Sequence, residues 1–293
     1  MNDMQLVSAR PPGLKRFPFF VHESNDVYIS EKIRRRGVWE RFETHLLLAL
    51  LREREQILDI GANIGWYTVA AARRVGPAGH VFAFEPDAKN FAILTANVRH
   101  SGLACVSAER LALGRESGSG SLRSSADNQG DLRVRDFRKW GNGAAVGSEI
   151  RVAALDDYLA NNTQFDVARL RIVKMDVQGF EHEVLCGARN LLRNLPRSAV
   201  CFIEFDPVLL ADHAPNACEG FIQTLAAMQR RLFVIRRPIW RLQALSIDEL
   251  RAAADPRVAQ CYDLVVAHDQ ALPDLHRALP LIPRLLSSGT TRA

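Results

Sequence analysis

The sequence predicts an α/β fold in which a mostly parallel sheet of seven strands carries helices on both faces. Three observations carry that expectation. Short apolar runs alternate with helix-period segments across residues 56–205, a glycine-bearing loop follows the first run directly, and two more apolar runs close the pattern beyond residue 205. A parallel strand must be reached by a crossover that returns the chain to the same end of the sheet, and helices supply that crossover.

Residues 1–52 read as an N-terminal, substrate-side cap. The first thirty are irregular with four aromatics, after which Trp39, Phe42, Leu46, Ala49 and Leu50 place an apolar face on a helix over 38–52. Residues 53–268 form the main domain, with strands expected at 56–60, 80–84, 105–108, 169–176, 199–205, 231–235 and 261–267. Phe91, Leu94 and Val98 fall at helical spacing, as do Val184, Ala188, Leu191 and Leu195, so each set is expected on a crossover helix. A further helix is expected over 219–229, and Ser246-Ile247-Asp248-Glu249 reads as a capping box opening a short one. Residues 114–147, rich in Gly, Ser, Asn, Asp and Arg, are expected as an inserted region of loops or a hairpin beside the site. Residues 269–293, with Pro273, Pro280 and Pro283, are expected as a loosely attached, flexible tail.

Composition narrows the function classes. The longest apolar runs fall far short of the roughly 20 residues that a membrane span needs. The N-terminus lacks a basic start followed by an apolar block, so no membrane span and a cytoplasmic location are expected. A net charge of +5 is modest, and the basic runs Arg34-Arg35-Arg36, Arg236-Arg237 and Arg133, Arg135, Arg138, Lys139 are dispersed. They suit a solvated surface better than a nucleic-acid footprint. Cys105, Cys186, Cys201, Cys218 and Cys261 stand apart in apolar context without zinc or redox spacing, and are expected as reduced core residues.

Ligands of open α/β sheets collect at the carboxyl ends of the strands. Here the first strand leads into Leu58-Asp59-Ile60-Gly61-Ala62-Asn63-Ile64-Gly65-Trp66. A dinucleotide fingerprint needs glycines at the first, third and sixth loop positions, whereas Asn63 and Trp66 hold the latter two. S-adenosylmethionine has no phosphate but carries an amino-acid end, a ribose and a sulfonium, so the carboxylate of Asp59 before the loop suits it better than a phosphate cradle. The second strand ends Phe84-Glu85-Pro86, which puts an acid where ribose hydroxyls lie in related folds. Asp59, Gly61, Asn63, Gly65, Glu85 and Pro86 are therefore the expected cofactor residues.

Taken with these segments, Leu155-Asp156-Asp157-Tyr158, Lys174-Met175-Asp176-Val177-Gln178-Gly179-Phe180-Glu181 and Glu204 give an order and spacing that resembles the FkbM-type methyltransferases over about residues 26–206. The resemblance implies a class I, Rossmann-like methyltransferase fold, S-adenosylmethionine as cofactor, and a hydroxyl acceptor on a sugar, glycolipid or polyketide. The family commonly carries Asp-x-Glu-Gly after the fourth strand, and this chain has Gln178 where the Glu stands. A glutamine cannot act as a base, although it can hydrogen-bond cofactor or substrate.

Methyl transfer from a sulfonium is an in-line displacement, accelerated by alignment and helped by a base. Asp176 is expected at the reactive end, binding the cofactor's amino group or accepting a substrate proton. Glu181 and His182 open the next helix and are the other catalytic candidates; the alternatives are a helix-dipole partner for Glu181 and a solvent-facing His182. Asp156 and Asp157 fit a helix N-cap better than a substrate rim. Glu204 either lines the pocket or binds a loop amide, and Asp127-Asn128-Gln129-Gly130-Asp131 either closes over the acceptor or is a surface turn. No metal is expected, for want of fixed ligand spacing.

The partner expected is a small-molecule or glycan hydroxyl, not nucleic acid, and the oligomeric state is open, a homodimer included. An RNA methyltransferase and a catalytically silent S-adenosylmethionine-binding protein are the alternative functions. The RNA reading lacks an RNA-binding module and the Asn/Asp-Pro-Pro-Tyr type of motif, and the silent reading draws on Gln178.

Overall fold

The computed structural model describes residues 3–24, 26, 28–124, 132–136, 148–237, 241–255 and 260–279. The chain opens with β1 (Met4–Ala9) and β2 (Phe17–His22), paired antiparallel from Met4 with His22 to Ala9 with Phe17. The irregular N-terminus expected from sequence is thus corrected. Phe17, Phe19 and Val21 alternate inward, and Pro18 is tolerated because β2 pairs on one side only. Next come α1 (Ile29–Arg36) and α2 (Arg41–Leu50). The Asp26 carboxylate accepts from the backbone N–H groups of Ile29 (3.0 Å) and Ser30 (2.9 Å), which starts α1 and fixes its first turn.

The core then runs β3 (Gln56–Ile60), α3 (Trp66–Val75), β4 (His80–Phe84), α4 (Ala88–His100) and β5 (Val106–Glu109). A second sheet interrupts it: β6 (Ala112–Gly114), β7 (Gly118–Ser124), β8 (Leu132–Asp136) and β9 (Ser148–Ala154), in spatial order β6-β9-β7-β8. The inserted region thus carries the hairpin expected, the antiparallel pair β7 and β8, and the flanking strands β9 and β6 extend it to a four-stranded sheet. The Asp127 to Asp131 segment lies outside the described residues. After α5 (Leu155–Ala160) and β10 (Leu170–Met175), the chain continues through α6 (Glu181–Cys186), α7 (Arg189–Asn194), β11 (Val200–Phe205), α8 (Pro207–His213) and α9 (Ala217–Ala227). It closes with β12 (Arg231–Arg236), β13 (Arg241–Leu245), α10 (Ile247–Ala253), β14 (Tyr262–Ala267) and α11 (Leu272–Ala278).

The large sheet has the order β13-β12-β14-β11-β10-β3-β4-β5. Strands β11, β10, β3, β4 and β5 are mutually parallel, and β14 lies antiparallel to both β11 and β12. All seven expected strands are present. The eighth, β13, adds a hairpin to the β12 edge, its alternating Arg-Leu-Gln-Ala-Leu being short and weakly apolar. Strand order reverses between β3 and β10, the switch point at which such sheets open a ligand crevice.

Period-two alternation divides the core. Leu58, Ile60, Phe82 and Phe84 pack with Val184, Leu185 and Phe221 on one face, while Ile57, Val81 and Ile172 pack with Leu46, Val69 and Leu275 on the other. Each such side chain, fully buried, contributes about 1.5–3 kcal/mol. Helix α2 is covered almost all round because α11 packs over it, so residues 272–278 are a docked helix and not part of a loose tail. Residues 280–293 lie outside the described set. The capping box at Ser246 and Glu249 is present.

Two local readings are corrected. Val184 to Leu195 is not one helix: α6 and α7 break at Gly187, where the Gly114 backbone passes so close that a Cβ would lie 1.9 Å from its carbonyl oxygen. Asp156 does not cap its own helix either. Its carboxylate accepts from the backbone N–H groups of Asn190 (2.7 Å) and Leu191 (2.9 Å), and so caps α7 from outside. Among the described residues, no helix is long and apolar enough to cross a membrane. Cys105 and Cys201 are buried as expected, whereas Cys261 is exposed, and all five cysteines are free.

Candidate active site

Two turns meet at the switch point. Leaving β3, the N–H groups of Gly61 and Ala62 both donate to the Phe84 carbonyl (3.0 and 2.9 Å), while the Asp176 N–H donates to the Ile60 carbonyl (3.0 Å). These bonds press the first turn against the loop that follows β10. Gly61 has φ +82°, and a Cβ there would lie 1.9 Å from the Asp176 carbonyl oxygen, so only glycine fits. The turn and the loop wall a cavity of about 210 Å³ that is lined by Gly61, Asn63, Glu85, Pro86, Asp176 and Gln178.

Glu85, at the end of β4, is 4% exposed. Its Oε2 accepts from the Asn63 N–H (2.8 Å) and its Oε1 from the Asp87 N–H (2.9 Å). Asn63 adopts φ +51° to present that N–H, a conformation asparagine tolerates better than most side chains. Burial pushes the Glu85 carboxyl up to about 8, against the pull of the two backbone amides.

Across the cavity, the Asp176 carboxylate accepts from Lys174 Nζ (2.8 Å) and from Gln178 Nε2 (2.9 Å). Burial alone would raise its pKa, but the Lys174 ammonium and the bond from Gln178 win and hold it below the usual range. The same Nε2 donates to Glu204 Oε2 (2.9 Å), so Gln178 bridges two carboxyl groups. A third carboxylate there would repel both, whereas an amide donates to both, which gives this chain's departure from Asp-x-Glu-Gly a physical reason. Burial, then the neighbouring Asp176 and Glu181 carboxylates, push Glu204 well above the ordinary carboxylate range.

Four sequence-predicted residues do not line this cavity. Asp59 is buried behind the turn, accepting from the Thr68 hydroxyl (2.5 Å), with Oδ1 lacking a hydrogen-bond partner among the described residues. Gly65 starts α3, packed under Leu94. Glu181 is buried beneath the second turn, where its Oε1 accepts from the N–H groups of Val177 (3.1 Å) and Gly179 (3.3 Å), so it braces the loop. His182 is corrected outright. It lies in a surface depression between α6, α7 and α9, 3.4 Å from Arg115 Nη2 and 3.7 Å from Cys186 Sγ. A His182→Ala variant is expected to keep S-adenosylhomocysteine affinity and methyl-transfer rate within about twofold by calorimetry and product assay; a tenfold loss of rate would return His182 to the site.

Sequence reading missed Tyr28, Trp39, Glu40, Tyr67 and Lys174, all of which line the cavity. Lys174 carried a signal, being, with Arg171, one of two charges inside a buried central strand, each of which needs a partner. Glu40 carried none, because only the tertiary fold brings the N-terminal segment to β10. Its Oε2 accepts from the Tyr67 hydroxyl (2.8 Å), and Arg237 Nη2 lies 3.7 Å from its Oε1.

These residues fit S-adenosylmethionine. Each Glu85 oxygen already holds one backbone amide and keeps acceptor capacity for a ribose hydroxyl, the Gly61 turn admits a ligand against bare backbone, and Asp176 offers an anion to an amino group. Fold and site thus define a class I methyltransferase. Residues 59–233, well over half of the chain, match the model of the Methyltransferase FkbM domain. The chain belongs to that family, and it is a methyltransferase with S-adenosylmethionine as cofactor.

Solved structures similar to it are distant. A putative O-methyltransferase from Klebsiella pneumoniae is 14% identical with a TM-score of 0.44, covering 81% of this chain and 87% of its own. The O-methyltransferase TomG from Streptomyces achromogenes, solved with S-adenosylmethionine, is 13% identical with a TM-score of 0.41 and covers 78% and 79%. The precorrin-6y C5,15-methyltransferase from Geobacter metallireducens is 13% identical with a TM-score of 0.41 and covers 78% and 87%. No curated protein matches the chain.

Proposed function

We propose that the protein methylates a hydroxyl group of a small molecule or glycan. The observation that carries this reading is the lining of the cavity opposite Glu85, where Glu40, Asp176, Gln178 and Glu204 offer hydrogen-bond partners to a polar acceptor and Tyr28 and Trp39 add aromatic faces. Tyr28 is 51% exposed, so its ring is available at the mouth. Residues 1–52 act here as a substrate-side cap.

The bound cofactor supplies an electrophilic methyl on sulfur. Glu85 would hold the ribose hydroxyls, while the Gly61 to Asn63 turn keeps side chains out of the cofactor's way. Asp176, kept ionised by Lys174, is a strong hydrogen-bond acceptor and a weak base, so its part is to orient an amino group or an acceptor hydroxyl. Gln178 fixes the Asp176 and Glu204 carboxyls relative to each other. Glu181 acts from behind, through the loop it braces, and Asp59 through its bond to the Thr68 hydroxyl of α3. Alignment of this kind accounts for much of an in-line displacement's acceleration.

The test is transfer of labelled methyl from S-adenosylmethionine into size-fractionated extracts, with Asp176→Ala alongside. Label in an alkali-stable ether of a small molecule or glycan, reduced about a hundredfold or more in the variant with its melting temperature within a few degrees, is the result expected. Label confined to RNA, or cofactor binding without labelling of any fraction, overturns the reading.

A further inference from the structure

We propose that Glu40, delivered by the N-terminal segment, takes the proton of the acceptor hydroxyl during methyl transfer. This assignment rests on the hydroxyl-acceptor reading above and names the base that reading leaves open.

Geometry carries it first. Glu40 lines the same cavity as Asp176 and Glu204, and the Tyr67 hydroxyl donates to its Oε2 at 2.8 Å. Its backbone sits at φ +37°, in the left-handed region that a glutamate rarely occupies. Such a conformation costs on the order of 1–3 kcal/mol and persists only where its surroundings impose it. Here the Trp66 indole N–H donates to the Thr44 hydroxyl (2.9 Å), which donates to the Trp39 carbonyl (2.8 Å), while the Thr44 N–H donates to the Glu40 carbonyl (2.8 Å). Trp66 opens α3 directly after the turn that begins at Gly61, so the element that carries the cofactor turn also sets the position of Glu40.

Elimination among the cavity's acids points the same way. Asp176 is an anion pinned by Lys174 and Gln178, Gln178 has no basic atom, Glu204 is bound to Gln178, and Glu85 is held by the Asn63 and Asp87 amides on the far side of the cavity, where the reading above gives it to the ribose. Glu181 and His182 do not line the cavity. The groups that face Glu40 are Tyr67 from α3, Lys174 from β10, Asp176 just after it, Asp263 from β14, Glu43 from α2 and Arg237 beyond β12. Burial, then the Asp263 carboxylate, push Glu40 up to about 7, against the pull of Lys174 and Tyr67, which suits a group that takes a proton at neutral pH and returns it to water.

The step balances. The acceptor O–H bond breaks and its proton bonds to a Glu40 oxygen. The oxygen's electron pair forms the new O–C bond as the C–S bond breaks, and the C–S pair stays on sulfur, leaving a neutral thioether. The Glu40 proton then passes to solvent.

The test compares two probes on the full chain: S-adenosylhomocysteine, and sinefungin, whose primary ammonium stands where the transferred methyl would be. Glu40→Gln keeps the Tyr67 contact and the backbone. It is expected to weaken sinefungin at least tenfold and S-adenosylhomocysteine less than threefold, and to lower the labelled-product rate about a hundredfold or more. In wild type the preference for sinefungin grows as pH rises through about 7, and that growth disappears in Glu40→Gln. Tyr67→Phe, which removes a donor to Glu40, moves the midpoint upward and keeps the proposal testable if the first variant folds poorly. A parallel loss of both probes, or an unchanged ratio and rate, overturns the assignment. If wild type binds neither probe, the cofactor cavity itself fails, and label on nitrogen instead of oxygen overturns the hydroxyl reading while leaving the probe ratio as a separate result.

Discussion

Gly61→Ala is expected to abolish measurable S-adenosylhomocysteine binding, a loss of about a hundredfold or more. Two costs add. An L-residue at φ +82° is strained by about 1–2 kcal/mol, and its Cβ would lie 1.9 Å from the Asp176 carbonyl oxygen. Because that contact is with backbone, no side-chain rotation relieves it, and the β10 loop must move with Asp176 and Gln178 on it. Gly102→Ala is the control, since φ there is +63° with nothing within 4 Å of a built Cβ. It carries the strain without the clash, so it should lose about 1 kcal/mol of stability by chemical denaturation and keep its affinity. Equal affinity losses in the two variants would show that strain, and not contact with the Asp176 loop, controls the site.

Glu85→Ala is expected to weaken S-adenosylhomocysteine by about a hundredfold or more, since hydrogen bonds to a charged group contribute about 1.5–3 kcal/mol each. Glu85→Gln should not rescue it. The amides of Asn63 and Asp87 donate to opposite oxygens of the carboxyl, so an NH2 group in either place would face another donor. Ribose hydroxyls that donate to Glu85 favour its ionised form, and its ligand-free value is about 8. Affinity should therefore climb with pH up to about 8, by at most tenfold per unit, and flatten above it. In the ligand-free protein the same shift works in the other direction. The fold favours protonated Glu85, so its contribution to stability is present below the unfolded carboxyl value of 4.5 and is lost as pH rises through about 8. Calorimetry between pH 6 and 9 decides the matter; a flat profile in wild type, or the same slope in Glu85→Ala, would remove Glu85 from the ribose.

What could be read in advance followed from local chemistry. Strands β3, β4, β10 and β11 are short apolar runs between helix-period segments, and the Gly61 turn and Glu85 follow their strands directly, so chain order alone put them at one sheet edge. His182 shows where that reasoning fails: it is one residue from Glu181 and six from Asp176, yet the start of α6 turns its side chain to another face. Sequence proximity to a motif carries no information about direction once a helix has begun. The β1–β2 hairpin and the docking of α11 escaped notice because an edge strand with a proline and a short proline-led helix have weak local signals, and each is held by burial against distant residues.

The sequence by itself determined the sheet, its parallel core, the glycine turn after β3 and the acid that ends β4, because these depend on periodicity and on residues adjacent in the chain. Only the tertiary structure decided which acids face the cavity and in what state. Asp59, Asp176, Glu181 and Glu204 are alike as letters. Burial behind a turn, a lysine at 2.8 Å, two loop amides and a bridging glutamine make them four different groups. Glu40 entered the site for the same reason: its neighbours there, Tyr67, Lys174 and Arg237, come from three other parts of the chain.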